Sequence, residues 1–379
     1  MDIEFVHAAM KRHRMEPHVS ASAYLQRLIV EVGKSVSMRR KIYLDSRYWI
    51  FLRQAALGQP RRPQHSELLS LLRTAVQSGI ALCPISDVAF LELMKHGDQE
   101  TKLKTAILID ELSLGVALLT EEMRVGTELA QTLTGEAAGL EVHPLDHLVW
   151  VRACYVLGFD YPGVPGWSAA ANLAAHKVAI DTSWHMSLED LVSSAEDSHR
   201  PPDPFEETAT ELNTNARAHA HEIRSFEQAF ITEIGGALSV FKGGIAHILE
   251  QIYEKKTGTP VTLTIAERAA FEQRVFSMSV NMFRADRKKM AQKIPSLYVN
   301  AMCHAAARWD RQRNLDGHDL LDFHHAGAAL GYCEAFFTEN PLRVFLTSNH
   351  VALDQEYGCR VISEESDAIE YARGLTTVQ

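Results

Sequence analysis

The segment KIYLDSRYWIFL, residues 41–52, joins a short apolar run to a carboxylate. Residues 41–45 have the apolar and aromatic character of a buried strand, and Asp45 stands at its end. The next residues, RYWIFLRQAALG, have the spacing of a helix that ends at Gly58 and Pro60. The segment therefore predicts a strand that leads directly into a helix, with Asp45 at the junction.

Further strands and helices alternate downstream of this segment. HSELLSLLRTAVQSG predicts a helix, IALCPIS (residues 80–86) a buried strand, and SDVAFLELMKHG a helix that Ser86 or Asp87 can cap. Strand signals return in EAFFT (334–338) and GCRVIS (358–363), and IPSLYVNAMCHAAARWD and HDLLDFHHAGAALGYC predict helices beside them. Strands that alternate with helices need crossover connections, so the sequence predicts an α/β fold with a parallel sheet flanked by helices.

The domain organisation follows from where these signals occur. Residues 40–105 and 291–379 are predicted to be the two halves of the α/β domain, and residues 1–39 a helical N-terminal arm. Residues 106–290 carry only helical periodicity, which predicts a large all-α insertion that interrupts the sheet.

The clearest helix of the insertion is EETATELNTNARAHAHEIRSFEQAFITEIGG. Apolar residues recur every three or four positions from Ala209 to Phe230. Gly235 and Gly236 are expected to end this helix. Its apolar stripe makes the insertion a candidate contact for a homo-oligomer.

Composition limits the class of protein. The chain has 379 residues and a formal net charge of −10, which argues against a protein that coats nucleic acid non-specifically. Its five cysteines form no CxxC pair, as expected of a reduced, cytoplasmic protein. We find no secretory signal in the first residues and no uncharged run that fits a bilayer, so we expect no membrane partner.

Several acids are predicted at one edge of the sheet, because sites in open α/β sheets form at the carboxyl ends of strands. Asp45 and Glu339 each follow a predicted strand, and Glu92 lies about two turns into the helix after the second strand. Asp319 and Asp322 are three residues apart and share a helix face. Converging carboxylates repel each other unless cations lie between them, which indicates Mg²⁺ or Mn²⁺. Two such ions ~4 Å apart can activate a water for attack on a phosphodiester.

Three blocks of the sequence resemble the PIN-domain nuclease family. IYLDSRYWIFL resembles its first motif, an apolar strand that ends in Asp, and CPISDVAFLELMK resembles its second. HDLLDFHHAGAALGYCEAFFTENPL is similar to the third and fourth, in which an Asp precedes a small-residue helix and the next strand ends in Thr followed by an acid. The resemblance covers residues 40–100 and 295–365. It implies a PIN-like parallel sheet and a metal-dependent endoribonuclease, toxin-like or RNA-processing.

The resemblance also implies roles for individual residues. Asp45, Glu92 and Asp322 fall on the three acids that the family uses for catalysis and metal binding. Asp319 is a fourth acid from the same helix, and Glu339 stands near the place of a family Asp. The expected cofactor is Mg²⁺ or Mn²⁺.

Two other functions remain open at this level. The longer Glu339 side chain would suit a PIN-like module that has lost catalysis and binds RNA or a protein partner. The pair His318 and Asp319, with His304, His324 and His325, would suit an HD-type phosphohydrolase, although that all-helical fold has no place for strands. Each acid also has a structural alternative, such as a helix cap for Asp45 or Asp319.

Residues that could contact an RNA substrate flank the acids. Ser46, Thr338 and Asn340 neighbour the predicted metal ligands. Two basic stretches, RADRKKMAQK and RWDRQR, precede the third block and supply the predicted phosphate contacts Arg284, Arg287, Lys288, Arg311 and Arg313. Single-stranded DNA stays open as a second substrate.

Overall fold

A computed structural model of the chain describes residues 3–134, 143–158, 161, 163–195 and 204–377. In these ranges the helices are α1 (Ile3–Arg14), α2 (Ala21–Val36), α3 (Ser46–Ala56), α4 (Pro63–Gln77), α5 (Asp87–Lys95), α6 (Gln99–Ser113), α7 (Glu121–Thr134), α8 (Ala169–Trp184), α9 (Leu188–Ser194), α10 (Pro204–Ala218), α11 (Phe226–Thr257), α12 (Ile265–Ala285), α13 (Arg287–Lys293), α14 (Pro295–Trp309), α15 (Gly317–Ala329), α16 (Asn340–Thr347), α17 (Leu353–Tyr357) and α18 (Glu365–Thr377). The strands are β1 (Arg40–Leu44), β2 (Ala81–Leu82), β3 (Val116–Leu118), β4 (Trp150–Arg152), β5 (Ala335–Phe337) and β6 (Arg360–Ile362).

The chain divides into two compact units. Unit one comprises Met1–Thr120, Asp146–His199 and Glu365–Gln379, and unit two comprises Glu121–Leu145 and Arg200–Glu364. Each unit contains one pair of parallel strands among many helices.

In unit one, β1 pairs with β2 in parallel, with Arg40 opposite Ala81 and Lys41 opposite Leu82. Ile42, Tyr43 and Leu44 of β1 are fully buried. The connection between the two strands is the helical pair α3 and α4, as parallel strands require. Helices α1 and α2, from the predicted N-terminal arm, pack in this unit against α8 and β4.

In unit two, β5 and β6 are also parallel, with Phe336 opposite Val361. The long helix α11 lies against α12 and α14, and α15 packs on α14 and α10. The prediction of parallel strands connected by helices, and so of an α/β fold, is confirmed in this coarse form by the four parallel strands.

The prediction that residues 106–290 are all-α is wrong. Strands β3 and β4 lie in this range and pair antiparallel, with Val116 opposite Arg152 and Leu118 opposite Trp150. A strand of three residues spans too few positions for its alternation to be told from one turn of an amphipathic helix. The short apolar stretch GVALL therefore carried no distinctive strand signal.

The predicted helix from about residue 206 to Gly235 is also wrong. The structure has two helices, α10 and α11, and α11 begins after Ser225, whose side chain accepts a hydrogen bond from the backbone N of Gln228 (3.1 Å). Helix α11 continues through Gly235 and Gly236 to Thr257. A helical glycine costs only about 1 kcal/mol relative to alanine, and the packing of α11 on α12 and α14 outweighs it.

One stretch of α11, Phe226–Glu250, is long and apolar enough to cross a membrane by length and composition, the one such stretch within the described residues. The core helix of a soluble protein passes the same test, and α11 packs on three other helices of unit two, so the stretch is compatible with a soluble protein.

Gly33 in α2 is a position where close packing requires glycine. A Cβ atom there would lie 2.7 Å from the carbonyl carbon of His147, which is backbone and cannot rotate away. We expect Gly33→Ala to lower the free energy of unfolding by about 2 kcal/mol, because the overpacking cost of up to about 3 kcal/mol exceeds the gain in helix propensity.

Urea denaturation measures this effect, with Gly244→Ala in α11 as the control. A Cβ at Gly244 would meet nothing within 4 Å, so that variant should gain about 0.5–1 kcal/mol. Equal stabilities for the two variants would contradict the packing argument.

Candidate functional site

Asp45 stands immediately after β1 in unit one. The residue is 6 % exposed, and its Oδ1 accepts a hydrogen bond from the backbone N of Tyr48 (3.2 Å), which caps α3. The buried strand before it and the helix after it fix the backbone on both sides. Asp45 is therefore a nearly buried carboxylate held in one position at the end of a strand.

Glu92 lies on α5, and two hydrogen bonds connect this helix to β1 and α3. The hydroxyl groups of Tyr43, on β1, and Ser86, the N-cap of α5, are 2.5 Å apart. In addition, the hydroxyl of Ser46 donates to Glu92 Oε2. Because Ser46 follows Asp45 in the chain, this contact brings Glu92 beside the Asp45–Ser46 junction. The predicted residues Asp45, Ser46 and Glu92 thus form one cluster in unit one.

Asp319 and Asp322 lie on α15 in unit two, as their spacing predicted. The helix begins earlier than predicted, because Asp316 is its N-cap and forms a capping box with Asp319. Both oxygens of Asp319 accept hydrogen bonds, Oδ1 from Arg313 and Oδ2 from the backbone N of Asp316 (3.1 Å). Asp319 is therefore engaged in structural contacts, whereas Asp322 is half-buried one turn further along.

The end of β5 carries Thr338, Glu339 and Asn340. Thr338 is fully buried and its hydroxyl has no hydrogen-bond partner among the described residues. Glu339 is exposed at the N-cap position of α16, where its side chain makes no capping bond. Asn340 Oδ1 accepts from Arg343 (2.8 Å). Glu339 is thus a solvent-facing acid in unit two.

The predicted phosphate-binding residues differ in how they are engaged. Arg287 pairs with Glu227 (3.0 Å), donates to the Tyr298 hydroxyl (2.9 Å) and covers the ring of Phe230. These contacts give Arg287 a structural role.

The other four predicted phosphate contacts include three exposed residues: Arg284, Lys288 and Arg311. Arg313 pairs with Asp319 and stacks over Phe345. The three exposed side chains are the better candidates for contact with an external anion.

A partly buried charged cluster in unit two was not predicted. Glu121, the first residue of α7, pairs with His324 and accepts a hydrogen bond from Asn300 (3.1 Å). Burial acts to raise the pKa of Glu121, but His324, Arg124 and His304 together lower it below its usual value. Burial lowers the pKa of His304.

A signal for this cluster was present in the sequence. Glu121, Arg124 and Glu128 recur at spacings of three and four, which puts three charges on one face of α7. Such a face is usually solvated, and here Arg124 and Glu128 are fully buried.

The chemistry of the cluster in unit one is that of hard oxygen ligands. It contains two carboxylates and a hydroxyl. Among the described residues, no group of three or more His, Cys, Asp or Glu side chains is arranged to hold a metal ion. A cation at Asp45 and Glu92 would therefore need waters or substrate oxygens for the rest of its shell.

No protein-family model, no curated protein and no solved structure matches this chain.

Proposed function

We propose that the chain is a metal-dependent nuclease of the PIN type that hydrolyses phosphodiester bonds in RNA. The observation that carries the proposal is the cluster at the end of β1: a nearly buried Asp45, followed by Ser46, whose hydroxyl donates to Glu92. Two carboxylates beside one strand end supply the oxygen ligands that a hard divalent cation takes. A strand end in an α/β protein is also the usual location of a site.

The donor set fits Mg²⁺ or Mn²⁺. These ions bind protein through one or two carboxylates, keep several waters, and leave positions for substrate phosphate oxygens. Asp45 and Glu92 supply that number of carboxylates. We propose Asp322 as a further ligand, followed by Asp319 and Glu339. These three assignments rest on the sequence pattern alone.

The residues of the cluster have distinct tasks in this proposal. Asp45 offers a carboxylate whose position the α3 cap holds, so little entropy is lost on binding a cation. Ser46 orients Glu92 through its hydroxyl. When bound, Mg²⁺ or Mn²⁺ supplies Lewis acidity, which lowers the pKa of a water and offsets charge on the phosphoryl oxygens.

The test is cleavage of an unstructured single-stranded RNA, followed on a denaturing gel with Mn²⁺ and with EDTA. The proposal expects cleavage only with metal, and loss of cleavage in Asp45→Asn. The same assay with single-stranded DNA of identical sequence decides whether RNA is the sole substrate. An RNA that survives excess protein in Mn²⁺ would count against the function.

A second candidate is a PIN-like module without catalysis that holds RNA or a protein partner. It is favoured by Asp319, whose two oxygens are both engaged in hydrogen bonds, and by Glu339, which faces solvent. In that case the acids at the end of β1 would serve structural contacts such as the α3 cap and the Ser46 hydrogen bond.

Titration of Mn²⁺ against thermal stability separates the two candidates. A ligand that binds only the folded protein adds about 1.4 kcal/mol to the free energy of unfolding at ten times its Kd. We expect this gain in the parental chain and its loss in Glu92→Gln, in which an amide oxygen can still accept the Ser46 hydrogen bond. Equal Mn²⁺ stabilisation of both proteins would favour the module without a catalytic metal.

The proposed setting is the cytoplasm. All five cysteines are free, which agrees with a reducing compartment. Residues 106–290 remain the proposed contact for self-association, with RNA as the proposed partner and no membrane.

A further inference from the structure

Unit two contains a cavity of about 390 Å³ with a strongly basic lining. Four arginines line it: Arg217 from α10, Arg308 from α14, and Arg311 and Arg313 from the loop that follows α14. The volume is at the lower end of the range for small-molecule sites, about 300–1,000 Å³. One nucleotide unit is of a suitable size for it, whereas a duplex is not.

The charges in the cavity are not balanced. Its lining contains two carboxylates, Glu233 and Asp310. Glu233 pairs with Arg308 at 2.7 Å, and Arg313 pairs with Asp319. These ion pairs account for two of the four arginines.

Arg217 and Arg311 have only neutral partners among the described residues. Arg217 donates to the side-chain oxygen of Asn314 (2.6 Å), and Arg311 to the backbone oxygen of Ala220 (3.5 Å). Two guanidinium groups in one cavity repel each other, and each has donors beyond the one used here. An anion bound between them would remove the repulsion and occupy those donors.

Arg308 adds a further donor to the same lining. Its Nε is buried and has no hydrogen-bond partner among the described residues. A buried donor without an acceptor costs about 1–3 kcal/mol, so an anion that reached Arg308 Nε would gain a hydrogen bond there. Guanidinium groups are the usual protein ligands of phosphate, which they bind through paired N–H groups.

We propose that this cavity binds the phosphate monoester of a single nucleotide unit. A phosphate monoester carries a charge of about −1.5 to −2 at pH 7 and a backbone diester only one, so the monoester gains more from Arg217 and Arg311, whose combined positive charge exceeds the negative charge of Asp310 in the same lining. The same group could come from a free mononucleotide or from the terminal phosphate of an RNA strand. Only the second source rests on the proposed nuclease function.

Calorimetric titration with 5′-AMP and with adenosine, both in EDTA, tests the proposal. We expect the parental chain to bind AMP at least about 10-fold more tightly than adenosine, a difference of about 1.4 kcal/mol. The variant Arg217→Gln with Arg311→Gln should weaken AMP binding at least about 10-fold. If that double variant does not fold, each single substitution should weaken binding about 3-fold, or about 0.7 kcal/mol.

The matched control is Lys242→Gln with Arg274→Gln. It removes the same charge from exposed positions of unit two that do not line the cavity. Its affinity for AMP should stay within about 2-fold of the parental value, because distant exposed charges are screened. If the control and the test variants lose the same affinity for AMP, the loss comes from net charge alone, and the proposed site is wrong.

Competition by an RNA pentamer identifies the source of the phosphate. If the pentamer displaces AMP only when it carries a terminal phosphate, at either end, the ligand is an RNA end; if neither form displaces AMP, the ligand is a free nucleotide. The proposal is overturned if neither AMP nor phosphorylated RNA binds at millimolar concentration, or if the double variant binds as the parent does. Asp45→Asn should bind AMP normally, so a failure of the nuclease proposal leaves this result unchanged.

Discussion

Asp45→Asn is expected to lower the rate of Mn²⁺-dependent RNA cleavage by at least about 10³-fold, which corresponds to about 4 kcal/mol of transition-state stabilisation. The reason is the charge of the side chain: a neutral amide binds a hard divalent cation far more weakly than a carboxylate does. Asp45 is also nearly buried and joins β1 to α3, which holds its carboxylate in place.

The same substitution should leave the fold intact. Asn and Asp are equally good N-cap residues, and an Asn side chain at this position can still accept the hydrogen bond from the Tyr48 backbone N. We therefore expect the α3 cap to be retained and the variant to remain folded. A loss of activity with unchanged stability separates a chemical role from a structural one.

Asp98→Asn provides a matched control, because Asp98 is also an N-cap in unit one. It caps α6 by accepting a hydrogen bond from the Thr101 backbone N (2.8 Å), and it is exposed. That variant should cut RNA at the parental rate.

Two companion variants extend the test. Glu92→Gln and Asp322→Asn, from the same expression and purification, should be as inactive as Asp45→Asn. Parental cleavage by Asp45→Asn and Asp322→Asn together would refute the proposed metal centre, whatever the control does.

Local signals in the sequence were sufficient to predict the strand and the helices that position Asp45. Strand β1 ends in the apolar run of residues 42–44 just before Asp45, and Ser86 precedes α5 as a capping residue should. The order of strands and helices then predicts parallel pairing without knowledge of any distant contact. The assignment of Asp45 to a strand end and of Glu92 to the following helix needed no more than this.

Other features depend on tertiary contacts that no local pattern encodes. The hydrogen bond from Ser46 to Glu92 joins residues 46 positions apart. The capping box of Asp316 with Asp319 marks where α15 begins, and the ion pair with Arg313 engages an acid that spacing alone assigned to a metal. In α11, packing overrides two glycines that would end an isolated helix.

The largest unpredicted feature is the buried pair of residues Arg124 and Glu128 on α7. Both are fully buried in unit two. Glu128 accepts hydrogen bonds from the Ser296 backbone N (3.1 Å) and from the Tyr332 hydroxyl, and Arg124 donates to the Ser296 hydroxyl (3.3 Å). These bonds join α7 to the start of α14 and to the residues that follow α15, the helix that carries Asp322.

Burial raises the pKa of Glu128 from 4.5 to about 7, although the hydrogen bonds from Ser296 and Tyr332 and the charge of Arg124 oppose this rise. The folded state therefore binds the proton more tightly than the unfolded state does. The stabilisation that results is fully present below pH 4.5 and is lost as the pH rises through about 7. At 1.36 kcal/mol per pKa unit, its size is on the order of 3 kcal/mol.

Glu128→Gln should remove this pH dependence, because an amide does not titrate in the range. We expect the free energy of unfolding of the variant, minus that of the parent, to rise by on the order of 3 kcal/mol between pH 4.5 and 8. Urea denaturation at five or six pH values measures the difference, and the use of a difference cancels the titration of the other acids. A difference in the free energy of unfolding that is the same at every pH reflects the extra N–H donor of the amide. It says nothing about the pKa of Glu128.

Glu211→Gln is the control for Glu128→Gln. It removes the same charge, but from an exposed position on α10. Its difference from the parent should stay flat across the same range within about 0.5 kcal/mol. If the Glu128→Gln difference were equally flat, Glu128 would carry its charge in the folded protein at acidic pH. The contacts from Ser296, Tyr332 and Arg124 would then outweigh burial, and α7 would be joined to α14 by a buried ion rather than by a neutral acid.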